Sequence, residues 1–297
     1  MNRHEQRLRA GAFLAAGALA SSSAAVLIKL CGFPPQMIAC FRLLIAGLVL
    51  LPFCAGSAGG FFARHGPRRF LLTLIPAALL GLHFQLWVLG LQTTLVASAV
   101  FIMSINPVFF ALAQRFVDRG RLTLRIILAL VVVLAGAAWL LYAGGGRLGR
   151  TGDLLVFISM LFLVAYLFLS GRLTAGMPHP VYVQVIYLWG GLLTLPFVFA
   201  AGVGDVRWTD ISSWLPLLGL VVFPTLIGHT SANYGVRLFT PLTVSFVFLV
   251  EPVIASLLAL WILDEAPPLY ELPAYALFLG ASAFYLYTRW RAGFRGV

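Results

Sequence analysis

Residues 246–260 read FVFLVEPVIASLLAL, an apolar run with a single acid, Glu251, near its middle and Pro252 directly behind it. About 20 such residues cross the roughly 30 Å hydrocarbon core of a bilayer as a helix. Working outward, this run extends to residues 241–262, and the whole chain has the same character. Of 297 residues, 61% are hydrophobic and 10% charged, and the mean hydropathy is +1.00. That leaves too little polar surface to cover a soluble globule of this size. The chain is an all-α integral membrane protein in contact with the lipid bilayer. Windows of about 19–20 residues pick out ten transmembrane segments: 10–30, 35–54, 70–91, 95–115, 122–142, 153–173, 180–201, 212–235, 241–262 and 269–289. The runs are continuous, without the period of two that marks barrel strands.

The net charge of +11 could suggest nucleic acid, but its placement points elsewhere. If the first helix runs outward, the inner side holds fifteen arginines, clustered at 3–9, 64–69 and 115–125, with Arg172, Arg237 and 289–295. The outer side then holds three, Arg147, Arg150 and Arg207. This asymmetry follows the positive-inside rule, puts both termini in the cytoplasm (N-in/C-in), and leaves no nucleic-acid footprint. Six acids, Asp153, Asp205, Asp210, Asp264, Glu265 and Glu271, fall on the outer side. The N-terminus resembles a secretory signal, with Ala18-Leu19-Ala20 as its cleavage site. The apolar run continues to Leu30, however, and so reads as a retained span. Cys31, Cys40 and Cys54 fall at different depths, too far apart to pair as disulfides or to form a metal site.

The Gly-rich stretch 143–150 separates ten segments into five and five, giving units 1–143 and 144–297. Shifting the sequence by 145 brings Pro35 onto Pro180, Gly90 onto Gly235, Ser98 onto Thr243, Asn106 onto Glu251 and Pro107 onto Pro252. Because five is odd, the second unit enters the membrane in the opposite sense. Inverted repeats of this kind are a common transporter architecture, with the binding site near the midplane between the halves.

Several features in order complete the pattern. They are Lys29 with Pro34-Pro35, Arg42 opening the second segment, Gly152-Asp153-Leu154 opening the sixth, and the paired stretches LVASAVFIMSINPVFFALAQRF and PLTVSFVFLVEPVIASLLALWILDE. On these the chain resembles the drug/metabolite transporter superfamily, specifically the bacterial EamA-type ten-helix exporters, over nearly its whole length. The resemblance implies two inverted five-helix repeats exporting small metabolites, often amino acids, across the bacterial inner (cytoplasmic) membrane. One departure stands out. The family repeats an acid after its fourth helix, where this chain has Gly120 opposite Glu265, with Asp118 nearby. Asp264 and Glu265 therefore read as caps of the ninth helix.

An acid at mid-bilayer is costly, so Glu251 should face the bundle interior, a partner or a wet cavity. Thr243, Val247 and Glu251 are spaced for one helix face, as are Ser98, Ile102 and Asn106 in the first half. Each stripe ends beside a proline that leaves a backbone carbonyl without its helical partner. Together they are placed to line a pathway, or more simply to satisfy two broken helices. Glu251 could bind a substrate amine or carry protons, and both roles need a cavity. His83 and Trp87 share a face with Gly90, and His229 and Asn233 share another. Imidazole can titrate near neutral pH and an indole offers a flat wall, although both also serve in ordinary helix packing. Arg42 lies two turns into its helix, where an unpaired cation is expensive. Its partner could be a substrate carboxylate, Glu251 or backbone carbonyls. Lys29 can snorkel to the interface, and Ser21, Ser22 and Ser23 allow close helix packing. Tyr166 and Trp189 could wall the cavity, and the aromatic residues near the proposed site, Phe84, Trp87, Phe101, Tyr166 and Trp189, lean the substrate toward neutral or aromatic amino acids.

The chain lacks phosphate-loop and dinucleotide motifs, and no cofactor is expected. An intramembrane lipid enzyme would need a nucleophile with a base, yet Glu251 reads as the only intramembrane acid and the histidines lack spaced partners. A structural subunit would not need polar stripes in both halves. A non-enzymatic secondary transporter of a small molecule is therefore expected, with monomer and homodimer both open.

Overall fold

The computed structural model describes residues 3–94, 96–143, 151–173, 176–202, 206 and 208–291. The Gly-rich stretch after Ala143, and with it Arg147 and Arg150, lies outside the described residues, as do Asp205, Arg207 and Arg295. The described chain is a helical bundle with α1 (Arg3–Ser21), α2 (Ala24–Leu30), α3 (Pro35–His65), α4 (Pro67–Thr93), α5 (Val96–Ser104), α6 (Asn106–Phe116) and α7 (Leu124–Ala143). It continues with α8 (Thr151–Leu173), α9 (His179–Ala201), α10 (Ile211–Leu220), a π-helix (Val221–His229), α11 (Thr230–Leu238), α12 (Pro241–Phe248), α13 (Glu251–Leu263) and α14 (Leu272–Arg291). Proline stands at the first or second position of α3, α4, α6, α9, α12 and α13. There its missing N–H costs nothing and its fixed φ suits the helix.

Among the described residues nine helical stretches are long and apolar enough to cross a membrane. The expected segment 95–115 is not an unbroken tenth. It divides at Ile105 into α5 and α6, and its apolar part, Phe101–Phe116, is shorter. The segment expected at 35–54 continues as helix to His65.

Contacts at the helix ends fix the directions. Beside the end of α2, the Cys31 thiol donates to the Ser213 carbonyl near the start of α10 (3.4 Å). Near the end of α11, the Arg237 guanidinium donates to the Met177 carbonyl between α8 and α9 (2.7 Å). From α10 to α11 the chain is one continuous 28-residue helical stretch, about 40 Å long at 1.5 Å per residue. The ends of α2 and α8 therefore sit at opposite ends of the bundle.

Three local features recur at a spacing of 145. Ile105 precedes α6 as Val250 precedes α13, each carrying the break that divides its span. Arg119 and Asp264, with φ of 55° and 56°, are the positive-φ non-glycine residues among those described. Just beyond each, a backbone N–H reaches back over the helix end, Gly120 to the Gln114 carbonyl (3.0 Å) and Glu265 to the Ala259 carbonyl (3.2 Å). This is the closure that usually employs glycine.

Candidate functional site

Four helical stretches depart from regular helix around one cavity. In the first, the Ser22 hydroxyl donates to the Ala18 carbonyl and the Ser23 hydroxyl to the Ala20 carbonyl (2.8 Å each), which draws the backbone out of register between α1 and α2. In the stretches divided at Ile105 and at Val250, Asn106-Pro107 and Glu251-Pro252 open new helices after the breaks. Their prolines supply no N–H to the carbonyls of Met103 and Phe248.

The stretch Ile211–Leu238 widens into the π-helix around Pro224. Pro224 offers no N–H to the Leu220 carbonyl four residues back, and the Thr225 hydroxyl donates to that carbonyl (2.7 Å). The lone pairs of that hydroxyl remain free to accept from Arg42 Nε (3.0 Å). The Tyr187 hydroxyl donates to the displaced Thr225 carbonyl (3.1 Å). A π-bulge of this kind is frequent at functional sites, and here it supplies the anchor for a buried cation.

The breaks surround a cavity of about 130 Å³, lined among others by Ser21, Arg42, His83, Phe84, Trp87, Ser104, Asn106, His229, Ser245, Phe248 and Glu251. One water needs roughly a tenth of that space. Arg42 is 1% exposed, its guanidinium carbon lies 3.8 Å from the centre of the Phe84 ring, and its Nη2 has no hydrogen-bond partner. Among the described residues it makes no ion pair. Phe84 also packs edge-on against His229, with ring centroids 4.7 Å apart. Asn106 Oδ1 and His229 Nδ1 are likewise buried without partners. The Ser21 hydroxyl faces the Glu251 carboxyl, and Glu251 occupies the first turn of α13, where the helix dipole favours an anion.

His83 is held from outside the cavity. Its Nδ1 donates to the Ser159 carbonyl (3.0 Å) while the Ser159 hydroxyl donates back to the His83 carbonyl (2.8 Å). In the neutral ring this leaves Nε2 as an acceptor. The cavity therefore combines a cation, a carboxyl, two imidazoles and an amide oxygen within aromatic walls. Three polar atoms there lack protein partners where most buried groups have one.

Of the residues proposed from sequence, the cavity gathers Arg42, His83, Phe84, Trp87, Asn106, His229 and Glu251. The others lie elsewhere. Thr243 is buried with its hydroxyl against those of Tyr285 (3.1 Å) and Thr240 (2.9 Å), because the break after Phe248 rotates it away from Glu251. Ser98 is separated from Asn106 by the corresponding break, and Phe101 packs on the core. Tyr166 is fully buried and accepts a hydrogen bond from Asn233 Nδ2, whose amide also donates to the His229 carbonyl (2.8 Å). Both residues therefore brace the wall from behind. Trp189 stacks edge-on against Phe70, centroids 5.4 Å apart. Gly90 faces Gly152 and Val156 of α8, not the cavity.

Glu251 is not the only acid inside a span. Asp153 and Glu271 are buried near helix starts, where Asp153 accepts from the Thr94 hydroxyl and Glu271 from the Tyr275 hydroxyl. Glu265 does more than cap, since it accepts both hydrogen bonds of a Lys29 ion pair (2.8 and 2.9 Å), so Lys29 does not simply snorkel. Ser104 and Ser245 escaped the sequence reading because nothing local separates them from other span residues. The run Ser21-Ser22-Ser23 was a readable signal of the first break.

The sequence profile of the EamA-like transporter family matches residues 9–142 and again 150–288. The chain is 24% identical over 272 residues to an uncharacterised transporter, YdfC, of Bacillus subtilis (strain 168), covering 90% of this chain and 87% of that one. A solved crystal structure of a protein at 20% identity superposes on 96% of this chain and 98% of its own, with a TM-score of 0.74, and so shares the fold. The chain belongs to the EamA-like transporter family.

Proposed function

We propose that this multi-pass membrane transporter exports small zwitterionic metabolites, neutral or aromatic amino acids in particular, by alternating access at the central cavity. Arg42 Nη2 takes the substrate carboxylate and Glu251 the ammonium group, while Phe84 and Trp87 hold the side chain and Asn106 Oδ1 accepts a remaining N–H. In this reading the halves are inverted repeats forming ten spans in a bacterial inner membrane, with both termini cytoplasmic. The recurrence of the helix break and the left-handed cap at a spacing of 145 supports two related halves. The asymmetry of basic residues supports the orientation.

One observation carries the proposal. A fully buried guanidinium with an unpartnered nitrogen shares a cavity with a carboxyl. An unpaired buried cation is expensive, and a carboxylate arriving with each substrate offsets that cost.

The test is flux in proteoliposomes with a panel of labelled amino acids and other metabolites, with and without a pH gradient. Saturable transport of zwitterions that fails for decarboxylated and deaminated analogues is expected. Equal transport of those analogues would reject the assignment. Glu251→Gln should weaken zwitterion binding, and if Glu251 also carries the coupling proton it should abolish pH-driven accumulation while sparing exchange.

A further inference from the structure

A second cavity, of about 300 Å³, lies toward the α2 end of the bundle. It is lined by Lys29, Glu265, Glu271 and Tyr275, and shares Ala25 and Ala255 with the central cavity. The partition between the two is thus built from the smallest side chains. Lys29, at the end of α2, and Glu265, just beyond α13, close one side of this chamber with a 2.8 Å ion pair. Its side chains are 33% and 52% exposed.

The opposite end holds a counterpart. Arg172, at the end of α8, pairs with Asp118, just beyond α6, and their side chains are 36% and 32% exposed. In each case a cation ends the first span of one half. The acid lies one residue from the left-handed cap that follows the fourth span of the other half, Asp118 before Arg119 and Glu265 after Asp264. The sequence positions are offset by 143 for the cations and 147 for the acids, so a strict shift of 145 does not align them. The fold does. Arg172 also lies 3.5 Å above the Phe168 ring and donates to the Phe168 carbonyl, which keeps it at the helix end where Asp118 can reach it.

We propose that these two ion pairs are matched gates, and that the second cavity is the exit chamber between the central site and the Lys29 gate. Both pairs join helix ends of different halves, so each must break when the halves rock apart at that end. Both are partly exposed, and exposed pairs are weak enough to open in every cycle. Both are formed here, each tying the two halves together at its own end of the bundle. The inference rests on the alternating-access reading and adds the residues that set its balance.

The experiment follows the accessibility of a single cysteine, Ala255→Cys, at the partition. Cys31, Cys40 and Cys54 are replaced by alanine in full-length protein oriented in cells. A membrane-impermeant thiol reagent is added from the outside. Glu265→Gln should raise the labelling rate by about two- to fivefold, the scale of one exposed ion pair. Asp118→Asn should lower it by a similar factor, since loosening one end favours closure of the other. The charge exchange Lys29→Glu with Glu265→Lys should restore the parent rate and shows that the variants still fold. Shifts in the same direction, or none in either variant, would overturn the gates. Zwitterion flux measured on the same variants keeps that failure separate from failure of the substrate assignment.

Discussion

Replacing Arg42 with methionine separates a substrate ligand from a structural cation, because the two roles predict opposite balances of stability and binding. The change removes the charge but keeps a long, unbranched side chain. On the folded side it loses the hydrogen bond from Nε to Thr225, worth about 1.5–3 kcal/mol for a charged donor. It also loses the stack on Phe84, worth up to about 2 kcal/mol when desolvated. Against these losses it relieves the burial of a cation that makes no ion pair among the described residues, a penalty of several kcal/mol. The terms nearly cancel, so stability should stay within about 1–2 kcal/mol of the parent. Binding has no such compensation. Loss of one charge-assisted contact to a carboxylate costs about 1.5–3 kcal/mol, a rise in half-saturation of roughly 10- to 150-fold. Thermal unfolding in detergent and zwitterion flux in proteoliposomes measure the two quantities. A variant that unfolds far more easily yet keeps its half-saturation would refute the reasoning and make Arg42 a structural cation.

Two further substitutions test the walls of the site. A Cβ at Gly228 would stand 2.1 Å from the Ser21 hydroxyl oxygen and 3.2 Å from Ser21 Cβ, so Gly228→Ala should destabilise by about 1–3 kcal/mol. Adding Ser21→Ala should recover part of that loss, whereas equal melting of single and double variants would argue against the close approach of α1 to the π-helix. Tyr166→Phe removes the acceptor of the Asn233 amide behind the wall and should cost about 1–3 kcal/mol. Substrate preference should be unchanged, and an altered ranking of substrates in competition assays would restore Tyr166 to the cavity lining.

The membrane character, most segment positions and the family were legible in the sequence, as was the candidacy of Glu251 and Arg42, which line one cavity. They rest on local quantities, namely hydropathy over the width of a bilayer, a repeated proline, and charges that lipid cannot solvate. Regular helical spacing failed for Thr243 and Ser98 because each stripe crosses a break, beyond which the helix restarts and the face a side chain presents is no longer set by the spacing. Pro224 was visible, but its consequence was not. The Leu220 carbonyl and the Thr225 hydroxyl that donates to it belong to one span, but the Arg42 nitrogen that joins them comes from another. The pairing of Lys29 with Glu265 and of Arg172 with Asp118 likewise depends on which helix ends meet. One-dimensional pattern records what each segment must avoid in oil, while the partner that satisfies a buried polar atom is chosen by the packing of distant segments.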